Sequence, residues 1–279
     1  MKQPLLAVEN LEVAVRQQDQ LLPVIRKLTF QIAKGEIFGL VGESGCGKTM
    51  TCLAILNLLP AGIVKAGGEI RLSGKSLSGL SPGRWRELRG DRMALIMQNP
   101  MSAFDAIRTI GDHFIETLLA HGKTDARTAR ATAAEYLTRV GLPDARLLLS
   151  QYPFELSGGM LQRITVAIAL AQQPDLIIAD EPTTALDATS QVHILDLLAD
   201  VRREFGTSIL LISHDLGVIA RLADSVAVMQ GGQIVEQAPA AELFARPRHE
   251  YTQQLLNARR SITLPHKRRG ADGSSTNAS

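Results

Sequence analysis

Cysteine is nearly absent: the 279 residues hold two, Cys46 and Cys52. Two thiols cannot build a four-cysteine metal or iron–sulfur site. Set this close together in a strand-loop-helix pattern, they do not suggest a structural disulfide either, which fits a reducing compartment. A surplus of charge is also missing. The 30 Lys and Arg stand against 28 Asp and Glu, leaving +2, so the chain lacks the basic excess of a dedicated nucleic-acid binder. No nucleic-acid partner is expected. No apolar run approaches the ~20 residues of a membrane-crossing helix. The opening Met1-Lys2-Gln3-Pro4-Leu5 has no long apolar core of a secretory signal, so a cytoplasmic location is expected. The six histidines are scattered without close helical pairing or carboxylate support. His113 and His121 read as helix-surface residues, and no transition-metal site is expected. Aromatic residues make up only 4%, and the first is Phe30. What the chain has in quantity is apolar residues, 45% of the total, enough for a large core in one or two domains.

Around one stretch the rest is organised: Gly42-Glu43-Ser44-Gly45-Cys46-Gly47-Lys48-Thr49. It fits the pattern G-x-x-x-x-G-K-S/T. The apolar run Ile37-Phe38-Gly39-Leu40-Val41 precedes it, and a helix-compatible run from Met50 to Leu59 follows, closed by Pro60 and Gly62. Strand, glycine loop and helix together make a phosphate site rather than an ordinary tight turn. Glycines let the backbone wrap close to an anion, and the amides at the helix start point at it. Lys48 would reach the β- and γ-phosphates, and the Thr49 hydroxyl would ligate Mg²⁺. Cys46, beside Lys48 and a helix N-terminus, has neighbours of the kind that activate a thiol. Its alkylation is expected to inactivate the protein, with ATP protecting.

Alternating apolar residues place strands at Leu5 to Val15 and at Val24 to Ile32, and residues 67–74 read as a short strand bounded by glycines. These strands lie outside a parallel core and imply an added antiparallel layer. Arg84 to Arg92 is strongly charged and reads as a solvated helix or loop. After the strand Met93 to Met97, helices over Ile110 to Ala120 and Ala126 to Val140, stopped by Gly141-Leu142-Pro143, suggest a helical insert. Core elements then alternate. A helix spans Met160 to Gln172, a strand Leu176 to Ala179, a helix Thr189 to Phe205, a strand Ser208 to Ile212 and a helix Leu216 to Leu222. A terminal hairpin turns at Gly231-Gly232. The alternation implies a parallel sheet with helices on both faces. From Pro265 the chain is basic, then Gly/Ser-rich, and is expected to be disordered.

Two further motifs carry chemistry. Asp180-Glu181 ends the apolar strand, where a carboxylate faces the ligand crevice of a parallel sheet. Asp180 can hold Mg²⁺, and Glu181 can act as general base on water. Leu156-Ser157-Gly158-Gly159-Met160-Leu161-Gln162-Arg163 offers an N-cap serine and bare amides at a second helix N-terminus. One nucleotide does not need two such sites from one chain. Two chains set head to tail do.

With these stretches in view the sequence resembles the ATP-binding-cassette ATPases. The phosphate loop resembles their Walker A motif, Leu176 to Glu181 their Walker B, and Leu156 to Gln162 the signature motif that P-loop kinases and GTPases lack. Gln98 resembles the Q-loop glutamine that touches Mg²⁺ and senses the γ-phosphate. Ala185-Leu186-Asp187 resembles the D-loop, and His214 the switch histidine. The resemblance implies an α/β P-loop fold: a RecA-like parallel-sheet core with an antiparallel β subdomain and an α-helical insert subdomain. It implies ATP held by residues 42–49 and by Ser157, Gly158, Gly159 and Asp187, with Mg²⁺ at Thr49, Gln98 and Asp180, and catalysis by Glu181, His214 and Gln98. One departure is that Val15 or Arg16 takes the place where the family sets an aromatic residue against adenine. An arginine plane can stack on a base.

DNA-repair members of the family insert long coiled coils and translation members carry two cassettes, and neither pattern occurs here. The expected class is therefore the motor subunit of a transporter. Arg248-His249-Glu250-Tyr251-Thr252 resembles the His-Pro-Tyr-Thr segment of the peptide/nickel importer subfamily, with Glu250 in place of proline. Residues 96–104 and 152–163 are most similar to nickel-import ATP-binding subunits, so nickel or a nickel chelate is the first cargo expected and a dipeptide or oligopeptide the second. Implied partners are a second, paralogous ATPase subunit, two membrane permeases and, indirectly, a periplasmic substrate-binding protein. The implied place is the cytoplasmic face of the inner membrane, as a peripheral protein. The expected organisation is an ATPase domain over 1–245 with the helical insert at about 100–160, an importer-type extension over 246–264, and a tail over 265–279.

Overall fold

A computed structural model describes residues 3–18, 20–121, 124–184 and 186–263, the side chains of 259–263 excepted. The expected tail lies outside the described residues. Two sheets form the frame. One is antiparallel, built from β1 (Leu6–Gln17), β2 (Gln20–Ile32), β4 (Ile63–Leu72) and the two-residue β5 (Lys75–Ser76), in the order β2-β1-β4-β5. The other contains β3 (Ile37–Val41), β6 (Met93–Ile96), β7 (Leu176–Asp180), β8 (Ser208–Ile212), β9 (Ser225–Gln230) and β10 (Gln233–Pro239). Its order is β10-β9-β3-β8-β7-β6, parallel throughout except for β10.

β3, β7 and β8 are buried at every residue, as strands covered on both faces must be. Their period of two divides the core. Ile37, Val41, Ile177, Ala179, Ile209 and Leu211 point into one apolar cluster, and Phe38, Leu40, Ile178, Leu210 and Ile212 into the other. The second cluster is closed by the antiparallel sheet through Leu6, Val8, Leu28 and Phe30. There Phe30 stacks on Phe38 with ring centroids 5.1 Å apart. The first cluster is closed by helices.

These helices are α3 (Ile110–Leu119), α4 (Ala126–Arg139), α5 (Ala145–Leu148) and α6 (Gly158–Ala171), all between β6 and β7. α7 (Ala188–Phe205), α8 (Leu216–Leu222), α9 (Ala240–Ala245) and α10 (Glu250–Thr263) come later in the chain. α1 (Lys48–Ile55) follows the glycine loop. It ends earlier than the sequence pattern implies, because Asn57 turns to φ +53° and Arg89 donates to the carbonyls of Leu56 and Asn57.

The charged stretch Arg84 to Arg92 is not simply solvated. It forms α2 (Pro82–Asp91), capped by Ser81. Trp85 is buried at 6% exposure, with the Arg89 guanidinium 5.4 Å from its ring centre. One aromatic at a helical position anchors a segment whose composition otherwise reads as surface.

The terminal hairpin turns as expected. Gly231 and Gly232 sit at φ +54° and +82°, the two-residue turn whose twist suits a hairpin. Gly232 also does something the sequence does not announce. Its N–H donates to the Cys46 carbonyl in the glycine loop, and its own carbonyl accepts from Arg26 of β2. The turn therefore ties the antiparallel sheet to the loop.

Candidate functional site

The glycine loop joins β3 to α1, and its conformation explains its composition. Gly42 adopts φ +155°, and a Cβ there would collide with the Met229 carbonyl oxygen. Gly47 adopts φ +109° as the residue preceding α1, and a Cβ there would sit 2.8 Å from the Met229 side chain. Both glycines are thus required by backbone angle and by the close approach of β9. Lys48 is 8% exposed. Its ammonium donates to the carbonyls of Gly42 and Glu43, each at 2.8 Å, so the lysine curls over the loop it belongs to. Cys46 is buried, its sulfur 3.8 Å from that ammonium.

β7 delivers Asp180 to the same place. The carboxyl is buried and accepts the Thr49 hydroxyl, yet its Oδ1 has no hydrogen-bond partner among the described residues. Burial raises its pKa above the usual carboxylate value, Thr49 lowers it, the Glu181 charge raises it, and Lys48 lowers it, with a net upward shift. A buried, unpartnered carboxylate oxygen beside a threonine hydroxyl is a donor set for a hard cation that takes oxygen ligands. These residues fit Mg²⁺.

Glu181 follows at φ +53°, an uncommon angle for a non-glycine residue that swings its side chain back over the strand ends. Its amide donates to the Ile212 carbonyl of β8. Oε1 accepts the His214 amide at 3.0 Å, and Oε2 lies 2.5 Å from His214 Nδ1 and accepts the Thr184 hydroxyl at 2.8 Å. The strained backbone and three contacts aim one carboxylate and one imidazole at the mouth of the loop.

One cleft of about 290 Å³ is lined by Ser44, Gly45, Gly47, Lys48, Thr49, Gln98, Asp180, Glu181 and His214. Two more lining residues, Val24 and Met50, escape the sequence reading. Val24 gives no signal beyond an alternating strand, and Met50 none beyond its place after the motif. Thr184, which holds Glu181, escapes it as well, and its place three residues after the carboxylate is the only hint.

Ser157, Gly158, Gly159 and Asp187 are not among the residues lining that cleft. Ser157 caps α6, its hydroxyl accepting the Met160 amide at 3.3 Å, and Ser157 and Gly158 are exposed. Asp187 caps α7. Its Oδ1 accepts the Ser190 amide at 2.9 Å and its Oδ2 the Ser190 hydroxyl at 2.5 Å, and these bonds hold its carboxyl below the usual range. Arg163 of α6 donates to the Ser190 hydroxyl and to the Gly141 carbonyl. The signature helix and the Asp187 cap therefore form one unit away from the lysine. Ala185 lies outside the described residues.

A binding loop, a buried cation-seeking carboxylate and a carboxylate–imidazole pair at the carboxyl ends of a parallel sheet define a P-loop nucleotide hydrolase. The family model for ABC transporters matches residues 25–184. The chain is 44% identical over 267 residues to a probable peptide ABC transporter ATP-binding protein of Sinorhizobium fredii, covering 95% of this chain and 78% of that one. It is 42% identical over 258 residues to the oligopeptide transport ATP-binding protein AmiE of Streptococcus pneumoniae, covering 92% and 73%. Among solved structures it superposes on the dimeric post-hydrolysis state of the ATP-binding cassette MJ0796 bound to ADP and Pi. The TM-score is 0.76 at 23% identity, with 84% of this chain and 98% of that one covered, a likeness of fold. The chain belongs to the ABC transporter family and is one of its ATP-binding cassettes. The two relatives carry peptide transport in their names and not nickel, so they favour the second of the two expected cargoes.

Proposed function

We propose that this chain is the ATP-hydrolysing subunit of a membrane importer of dipeptides or oligopeptides. The observation that carries the motor role is the split of the site. Lys48, Thr49, Gln98, Asp180, Glu181 and His214 converge on one cleft, while Ser157, Gly158 and Gly159 present bare amides elsewhere on the surface. Each half completes the other only across two cassettes arranged head to tail.

ATP enters with its phosphates on the amides of residues 42–49 and on the Lys48 ammonium. Thr49 and Asp180, with Gln98 at the edge of the cleft, would hold Mg²⁺, which would neutralise phosphate charge when bound. The serine–glycine segment of a partner cassette, expected to be a paralogue, covers the γ-phosphate, and Asp187 stands at the joint between them. Tighter binding to the closed pair supplies the free energy of closure. Glu181 takes a proton from the attacking water. His214 fixes the orientation of Glu181 and faces the γ-phosphate. Once that phosphate leaves, the contacts across the pair are lost and the cassettes separate.

A groove of about 450 Å³ runs between the sheet and the helical insert, lined in part by Leu58, Arg86, Phe104, His113, Glu116 and His121. Phe104 and His113 reach it from the stretch that follows Gln98, which suits the docking of one of the two permease subunits at the inner face of a membrane. No helix among the described residues is long and apolar enough to cross one itself. A periplasmic substrate-binding protein would present cargo to those permeases.

Uptake assays test the cargo. Cells with and without the chain are supplied with a labelled dipeptide and, separately, labelled nickel. Loss of dipeptide uptake alone is the expected result. Loss of nickel uptake alone overturns the peptide reading and leaves the motor role standing.

A further inference from the structure

The C-terminal helix reaches back to the glycine loop. Tyr251 is the second residue of α10 and is 6% exposed, its ring part of the apolar cluster that also holds Val41 and Val228. Its hydroxyl oxygen accepts the Glu43 amide at 3.1 Å, across 208 positions of sequence. Glu43 is the second residue of the glycine motif, and its carbonyl is one of the two that accept the Lys48 ammonium. Glu43 is therefore held on its N–H side by the tyrosine and on its carbonyl side by the lysine.

The tyrosine is itself firmly placed. Glu236 of β10 accepts the Arg248 amide at 2.8 Å and the His249 amide at 2.9 Å, and His249 Nδ1 accepts the Tyr251 amide at 3.2 Å. The entry to α10 is thereby fixed to the hairpin whose Met229 carbonyl lies under Gly42 and whose Gly232 donates to Cys46. Burial raises the phenol pKa, so the group facing Glu43 stays a neutral hydroxyl.

We infer that Tyr251 is a positioning residue for ATP binding: its hydroxyl holds the Glu43 backbone, and through it Lys48, in the phosphate-receiving conformation. The physical reason is entropy. A segment with glycines at 42, 45 and 47 has wide backbone freedom, and ordering it on binding weakens affinity unless the order exists beforehand. A hydrogen bond from outside the loop supplies that order. This inference rests on the phosphate-loop reading and is independent of the cargo.

Tyr251→Phe in the full-length chain removes the hydroxyl and keeps the ring. Nucleotide affinity is read by titration with a fluorescent mant-ATP and Mg²⁺, and loop order by amide hydrogen exchange with mass spectrometry. We expect Kd to rise about five-fold, the scale of one hydrogen bond. Exchange over residues 43–48 should quicken, while β7 and β8 stay as in the parent. An unchanged Kd overturns the inference, as does a raised Kd without faster loop exchange. Equal acceleration in β7 and β8 also overturns it, since that is general loosening. Lys48→Ala is the control: if it binds mant-ATP as tightly as the parent, the phosphate-loop reading itself fails, a separate result.

Discussion

Replacing Glu181 with glutamine exchanges one oxygen for an amide nitrogen, and the structure allows the consequences to be worked through. Oε1 accepts the His214 amide, and the glutamine oxygen can keep that bond. The new NH₂ then lies at the Oε2 position, 2.5 Å from His214 Nδ1 in the parent. It can donate to that nitrogen if the ring carries its proton on Nε2. Only the Thr184 hydroxyl loses its acceptor, and that residue is exposed, so water takes the place of the carboxylate. The loss is about 0.5 to 1 kcal/mol, a fall in melting temperature of roughly 1 to 4 °C for a chain this long. Lys48, Thr49 and the loop amides are untouched. No charge-assisted bond to phosphate is removed, so ATP affinity should stay within about three-fold. Turnover should drop by about two to four orders of magnitude, the usual share of a general base. Phosphate release measured against MgATP concentration separates the two effects. Sizing chromatography with ATP and the partner cassette should show a stalled pair. A variant that turns over within about three-fold of the parent removes Glu181 from the base role.

Two further outcomes follow from side chains in and beneath the same cleft. N-ethylmaleimide should react at Cys46 and not at Cys52, whose thiol is pushed well up by burial and by the charge of Asp180; because the Cys46 sulfur is buried against Gly42, the adduct should abolish ATPase activity and bound ATP should slow its formation, and full activity with one adduct per Cys46 by mass spectrometry would refute this. Asp180→Asn should raise the melting temperature of the nucleotide-free protein at neutral pH while abolishing its stabilisation by MgATP. The sign comes from linkage: a carboxyl whose folded pKa is raised contributes stability below its ordinary value of 3.8 and loses it as pH rises through the folded value. The advantage of the variant should therefore shrink in acid, and a variant that melts below the parent at neutral pH contradicts the argument.

The core was legible because its constraints are local. Ile37 to Val41 is an unbroken apolar run, the glycines at 42 and 47 mark a loop, and Asp180-Glu181 interrupts a second apolar run at its end. The faces of β3, β7 and β8 could not be read from those runs, whose positions are almost all apolar; only the packing shows that Ile209 and Leu210 serve different clusters. Trp85 is hidden by composition, as the arginines and glutamate around it outweigh one indole in any averaged reading. The sequence pattern marks neither α9 nor α10 as a helix: α9 falls at the end of the expected ATPase domain and α10 in the expected extension. The φ of Glu181, the Gly232 bridge to Cys46 and the Tyr251 bond to Glu43 are tertiary facts, set by residues up to 208 positions away. The half of the site carried by Ser157 was visible as a motif, but that segment lies outside the cleft lined by Lys48 and Asp180.

The Gly232 bridge has a consequence for synthesis. The glycine motif leaves the ribosome well ahead of its supports: its floor is Met229, its side support is Gly232 and its last tie is Tyr251. At ordinary translation speeds roughly 10 to 40 s separate the appearance of Lys48 from that of Tyr251. Throughout that interval the nascent chain carries the phosphate-binding sequence without the walls that give it shape. The walls of the nucleotide site therefore close only after the hairpin and Tyr251 have been made, and a chain cut short upstream of the hairpin carries the glycine motif without Met229, Gly232 and Tyr251 around it.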